Sequence, residues 1–257
     1  MKKILLLTLC GLYFSHPVFS QEKVNKTYYY TSPDSKGYIS FQKTEIQRDT
    51  INEILLNTRV KATFRKEEPL DFSLSTTNDS DKMIAPSKIV FDGTIEAQMD
   101  PVHFQGERIK KGNKEVAYWQ FSGDYSSERP TADVRQYLYP KYNATLRLPD
   151  RTIPSFNLWA IIPKLDFDRA GTFKYNELDE TKLRVSKNQT VNYLGKFETN
   201  INGQSQELHK FVLQGKGKAP SYFWVNDDRE LLKVQLDDNR YTFTLASKED
   251  ALKNSVE

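Results

Sequence analysis

From Ile54 to Phe64 the chain alternates. Ile54, Leu56, Thr58, Val60, Ala62 and Phe64 are apolar or small, and Leu55, Asn57, Arg59, Lys61 and Thr63 between them are mostly polar. Ile89, Phe91, Gly93, Ile95, Ala97 and Met99 repeat the pattern against Lys88, Val90, Asp92, Thr94, Glu96 and Gln98. A period of two is that of a strand with one dry face and one wet face. Such one-sided strands belong to antiparallel sheets, because the parallel sheets of α/β proteins are covered on both faces.

Further strand candidates follow at short intervals, separated by turn-forming residues such as Pro33-Asp34-Ser35-Lys36-Gly37, Gly112-Asn113, Asn202-Gly203 and Asp237-Asp238-Asn239. The 14 tyrosines and 15 phenylalanines suit half-buried sheet faces. The predicted fold is all-β: a large antiparallel meander curled into an open or closed barrel-like sheet, with one short apolar helix. That helix candidate is Ile153 to Ile162, bracketed by Pro154 and Pro163, where Phe156, Trp159 and Ala160 share a helical face. The same stretch also alternates as Phe156, Leu158, Ala160 and Ile162, so a strand competes with it. Polar stretches at 77–87 and 123–133 read as loops, the second a candidate sub-division of a single sheet domain over 21–250, with 251–257 as a C-terminal tail.

The first twenty residues have a basic start at Lys2 and Lys3, an apolar run from Ile4 to Phe14, and Val18-Phe19-Ser20 before Gln21. This predicts a signal peptide cleaved after Ser20 and a periplasmic or secreted protein. The apolar run is too short to span a bilayer as a helix, and no transmembrane segment is expected in the mature chain. Cys10 is the only cysteine. Lipidation there is disfavoured by the bulky Leu9 before it, so disulfides and thiolate chemistry are not expected in the mature protein. Removing residues 1–20 takes away two lysines and no acid, lowering the net charge from +3 to +1. No global field for nucleic acid remains, and none is expected as a partner.

Chemistry-bearing motifs are scarce. There is no Gly-rich phosphate loop, no Gly-x-Ser-x-Gly and no His-Glu-x-x-His. His103 and His209 are far apart in sequence, and no metal, cofactor or catalytic residue is assigned. The acids Glu67-Glu68, Asp166 with Asp168, Asp227-Asp228 and Asp237-Asp238 are the candidates for an envelope hydrolase. Neighbouring strand residues point to opposite faces, however, and both Asp-Asp pairs fit turns between strands. In 221–245 the split is SYFWV, NDDRE, LLKVQL, DDNR and YTFTL, with Leu232, Val234 and Leu236 predicted on one face. That leaves open whether Trp224 faces a filled core or a groove.

The segments FNLWAIIPKLDFDRAGTFKYNE, VNYLGKFETNI, ELHKFVLQG and SYFWVNDDRELLKVQL, within 154–247, resemble a family of exported bacterial β-proteins catalogued only as a domain of unknown function. The resemblance implies a curled sheet similar to periplasmic lipoprotein carriers, whose concave apolar face is capped by a short helix and holds acyl chains. It brings no catalytic residues. The expectation is therefore a non-enzymatic cell-envelope protein that binds an apolar or lipid-like ligand, or a lipidated protein, with Phe156 and Trp159 as ligand-lining residues. The alternative is an adaptor with a filled core that engages another envelope protein.

Overall fold

A computed structural model describes residues 22–33, 35–48, 51–64, 69–79, 86–94, 102–111, 114–124, 144–149, 151–167, 172–180, 184–238 and 240–254. The expected signal peptide, with Cys10 and Ser20, lies outside these residues, as do Glu67-Glu68, Ile95 to Met99, Asp168 and most of the 123–133 stretch. The N-terminal strands are β1 (Glu22–Thr31), β2 (Ser35–Arg48), β3 (Ile51–Phe64), β4 (Pro69–Asp79), β5 (Pro86–Thr94), β6 (Val102–Lys111), β7 (Lys114–Asp124) and β8 (Ala144–Arg147). The rest are β9 (Thr152–Pro154), β10 (Thr172–Asp179), β11 (Arg184–Ile201), β12 (Gln204–Gly215), β13 (Lys218–Val225), β14 (Leu231–Leu236) and β15 (Tyr241–Ala246).

All fifteen form one sheet in the order β8-β7-β6-β5-β4-β3-β2-β1-β15-β14-β13-β12-β11-β10-β9. Every pairing is antiparallel except β9 with β10. The first and last strands meet mid-sheet, Tyr30 opposite Leu245. The two edges, β8 and β9, are consecutive in sequence and joined only by residues 148–151. A flat sheet of this size would be roughly 65 Å wide at ~4.8 Å per strand. The link spans at most about 18 Å at ~3.6 Å per residue. The sheet must therefore curl until its edges approach, yet β8 and β9 do not pair, so it is open rather than closed.

Two glycines show how tight the curl is. Gly37 (φ +102°) and Gly93 (φ +139°) lie against the neighbouring strand so closely that a Cβ would sit 2.0 Å from the Lys61 carbonyl oxygen and 2.3 Å from that of Asp71. Only glycine takes such angles without strain at such an approach.

The inner face carries the main core. Ile54, Leu56, Thr58, Val60 and Ala62 are buried, as are Ile89 and Phe91, in keeping with the alternation. Phe72, Phe91 and Phe104 stack in a row, with successive ring centroids 5.1 Å apart. The segment after β9 enters this interior as a 3-10 turn at Ser155–Asn157, one α-helical turn α1 (Leu158–Ile161) and a second 3-10 turn at Ile162–Lys164. Pro154 ends β9 instead of opening the helix, and Phe156, Leu158, Ala160 and Ile162 are all helical, so the helix reading holds from Ser155 and the strand reading of those four residues does not. Trp159 packs edge-on to Tyr30 at 4.8 Å and against Phe243 at 5.9 Å.

Trp224 belongs to neither interior alternative. It packs with Ile201, Leu208 and Leu232 in a separate cluster on the outer face. Lys210, Trp224 and Lys233 are paired across β12, β13 and β14, and both ammonium groups lie about 5 Å from the indole, at 5.0 and 5.1 Å. The expected shared face of Leu232, Val234 and Leu236 is corrected here. A register shift between Trp224 and Val225 sets Leu231 opposite Val225, so Leu231 and Val234 enter the main core while Leu232 packs outside with Trp224.

The chain after β15 forms a short helix, α2 (Lys248–Lys253), in and before the expected tail. Ser247 caps it by accepting from the Asp250 amide at 3.0 Å, and Ala251 is fully buried. The 77–87 stretch begins as strand, since β4 runs to Asp79. The reason is Asn78, which is fully buried in a ring of polar side chains. Thr76 Oγ1 donates to Asn157 Oδ1 (3.0 Å), Asn157 Nδ2 donates to Asn78 Oδ1 (2.7 Å), and Asn78 Nδ2 donates to Thr76 Oγ1 (2.9 Å) and the Ile54 carbonyl (3.0 Å). This ring ties the interior segment to β4. Replacing Asn157 with Ala orphans two buried groups, each costing ~1–3 kcal/mol. Urea titration of N157A should show a loss of about 2–4 kcal/mol with an unchanged m-value.

Candidate functional site

Two cavities flank the interior segment. The first has a volume of about 340 Å³. Phe156, Leu158 and Trp159 supply one wall, and Ile39, Val60, Phe72, Leu213, Phe223 and Phe243 from the sheet supply much of the rest. Its polar lining comes from Ser155, Glu177, Gln189, Lys218, Ser221 and Asp237. The second, about 430 Å³, is lined by Tyr28, Tyr30, Phe41, Lys43, Ala160, Lys164, Arg229 and Leu231. Trp159 lines both, so its indole stands in a wall common to the two. Both volumes fall in the usual range for small-ligand sites, ~300–1,000 Å³.

Sequence reasoning singled out Phe156 and Trp159, and both stand in the wall of the first cavity, with ring centroids 6.0 Å apart. It missed the polar wall. Lys218 Nζ donates to Glu177 Oε1 at 2.7 Å, and the Glu177 side chain is only 7% exposed. A signal existed: in FKYNELD, Tyr175 and Glu177 share strand parity, which places an acid on a buried face.

The interior segment is held at both ends. At its start, Glu180 is buried and accepts from the Ser155 hydroxyl and from the Phe156 amide (3.0 Å). Burial pushes its carboxyl up to about 8, and these donors, with its own backbone amide, offset this only in part. At its end, Arg229 donates to the carbonyls of Pro163 (3.3 Å) and Leu165 (2.5 Å) and lies 3.8 Å from the Phe167 ring centre. Phe167 in turn stacks on His209 at 3.9 Å.

His209 is a buried residue of β12. Its Nδ1 lies 2.8 Å from the Tyr193 hydroxyl and its Nε2 2.9 Å from Asp227 Oδ1. Lys196 reaches the same Asp227 oxygen at 2.9 Å, and these partners hold the Asp227 carboxyl below its ordinary range. Asp227 lies in the turn between β13 and β14, as expected of it, but also fastens that turn to β11 and β12 through Lys196 and His209. Asp237 and Asp238 take left-handed conformations (φ 50° and 53°) in the turn before β15. Asp237 also lines the first cavity.

These features define a class: an all-β protein made of one open, curled antiparallel sheet around an interior helical segment and two cavities. No family model matches the chain, and no curated protein matches it. Among solved structures, a protein from Brucella abortus described as a beta-barrel-like protein of domain of unknown function DUF1849 aligns with a TM-score of 0.48 at 11% identity, covering 87% of this chain and 95% of that one.

Glu180 makes the stability pH-dependent. Its folded value near 8 stands above the ~4.5 of an unfolded glutamate, so folding favours the protonated form. The stabilisation is complete below about pH 4.5 and is lost as the pH rises to about 8. The urea midpoint should therefore fall across that window, and Glu180→Gln, which stays neutral, should flatten the profile.

Proposed function

We propose that this is a non-enzymatic cell-envelope protein that holds an apolar or lipid-like ligand, or the acyl chain of a lipidated protein, inside its curled sheet. The observation that carries this reading is the cavity of about 340 Å³ between the interior segment and the sheet, walled mainly by apolar side chains. Each methylene buried there gains ~0.8 kcal/mol without any directional chemistry, so a hydrocarbon chain is a suitable occupant. Phe156 and Trp159 are the ligand-lining residues in this reading. The leader-like first twenty residues support the periplasm as its place of work.

An adaptor role is the second reading, favoured by Leu194 and Phe197, which are 45% and 44% exposed on β11 either side of Gly195. The two readings separate on ligand content. Protein purified from the periplasm should yield a stoichiometric lipid on organic extraction and mass spectrometry. Ala219 is exposed beside the cavity. A219W should cut the affinity for a fluorescent apolar probe such as N-phenyl-1-naphthylamine at least about tenfold, with little change in thermal midpoint, since Trp suits a strand. Recovery without lipid, together with probe affinity unaltered by A219W, would defeat the carrier reading.

A further inference from the structure

We infer that the first cavity selects an amphiphile whose head group is a neutral hydrogen-bond donor, such as a hydroxyl, over one with a carboxylate or a purely accepting head. The inference rests on the ligand-binding reading above and assigns a head-group subsite within it. Its basis is the polar wall. Glu177 and Gln189 both line the cavity and are buried, at 6% and 1% exposure. Glu177 Oε1 is taken by Lys218, but Glu177 Oε2 has no hydrogen-bond partner among the described residues, and neither has Gln189 Oε1. The Tyr175 hydroxyl, pushed up by burial and then by the neighbouring Glu177 carboxylate, is a buried donor that also lacks a partner among the described residues.

Buried acceptors without donors are costly, and each calls for an explanation. The orientation of Gln189 is fixed by its other end. Its Nε2 donates to the Lys187 carbonyl at 2.9 Å, so turning the amide over would set two oxygens against each other. The amide lies over Gly215, where a Cβ would come within 1.7 Å of Oε1. Gly215 thus leaves the room in which that oxygen sits, behind the cavity lining to which Gln189 and Gly215 both belong. Glu177 and Lys218 cancel in charge, and Asp237 leaves the lining with an excess of one carboxylate. The terminal torsions of Glu and Gln are soft, and small rotations suffice to present either oxygen to a ligand. A hydroxyl can donate to Glu177 Oε2 or Gln189 Oε1, the two acceptors without a partner among the described residues. A carboxylate brings more acceptors and a charge beside Glu177.

The test uses the full folded protein and displacement of N-phenyl-1-naphthylamine by three probes with the same chain: 1-decanol, decyl methyl ether and decanoate. Decanol should bind about tenfold more tightly than the ether, the size expected when buried acceptors gain a donor, and decanoate should be the weakest. In Glu177→Gln an amide donor can replace Oε2, and the preference for decanol over the ether should vanish. Gln189→Leu removes the other acceptor and should reduce the preference for decanol over the ether. Equal affinity for decanol and its ether, or a decanoate affinity matching decanol, overturns the head-group assignment while leaving the apolar site intact. Failure of the naphthylamine itself to bind overturns both.

Discussion

The link at residues 148–151 joins the two edges of a fifteen-stranded sheet, and the sheet must bend to satisfy it. Backbone pairing supplies the material for the bend, since each strand is laid beside its sequence neighbour and the two ends of the chain close the middle through β1 and β15. Left-handed glycines at 37 and 93 permit the close approach of strands that this demands. Because β8 and β9 approach without pairing, the curl encloses a volume rather than a sealed barrel. The two cavities follow from how that volume is filled.

It is filled incompletely. The inner face contributes large side chains such as Tyr30, Phe72, Phe91, Phe211 and Phe223. The segment 155–164, delivered directly from the edge strand β9, contributes Leu158, Trp159, Ile161 and Ile162. One α-helical turn has almost no stability of its own, because helix nucleation is unfavourable. Its position is imposed by polar contacts instead: the ring of Thr76, Asn78 and Asn157, the Glu180 carboxyl at its start, and Arg229 at its end. These contacts hold Trp159 between two spaces rather than letting it collapse into either. The result is a core with apolar walls and one polar corner, where Glu177, Gln189 and Lys218 meet.

Much of this was legible in sequence. The alternation in 54–64, and in 88–99 as far as its described residues 88–94, fixed which faces are dry, since parity depends only on backbone geometry. The turn reading of Asp227-Asp228 and Asp237-Asp238 also matches their positions, because short acidic side chains tolerate the left-handed angles seen at Asp237 and Asp238. What parity missed came from events between strands. The shift between Trp224 and Val225 moved Leu232 to the outer face. Asn78 looks like a loop residue until Asn157, far away in sequence, reaches it. His209 and Asp227 meet only because β12 and β13 pair and the following turn folds back over them.

Sequence by itself determined a one-sided antiparallel sheet and a short apolar segment that had to be buried against it. It did so because the period of apolar residues is a local property of the chain. Tertiary structure alone decided that the sheet stays open, that Trp159 lines two cavities, that Trp224 lies under lysines on the outer face, and that Glu177 and Gln189 stand together at a cavity wall. Those outcomes depend on curl and register summed over fifteen strands, and on which side chains happen to meet across them. No window of sequence contains that information.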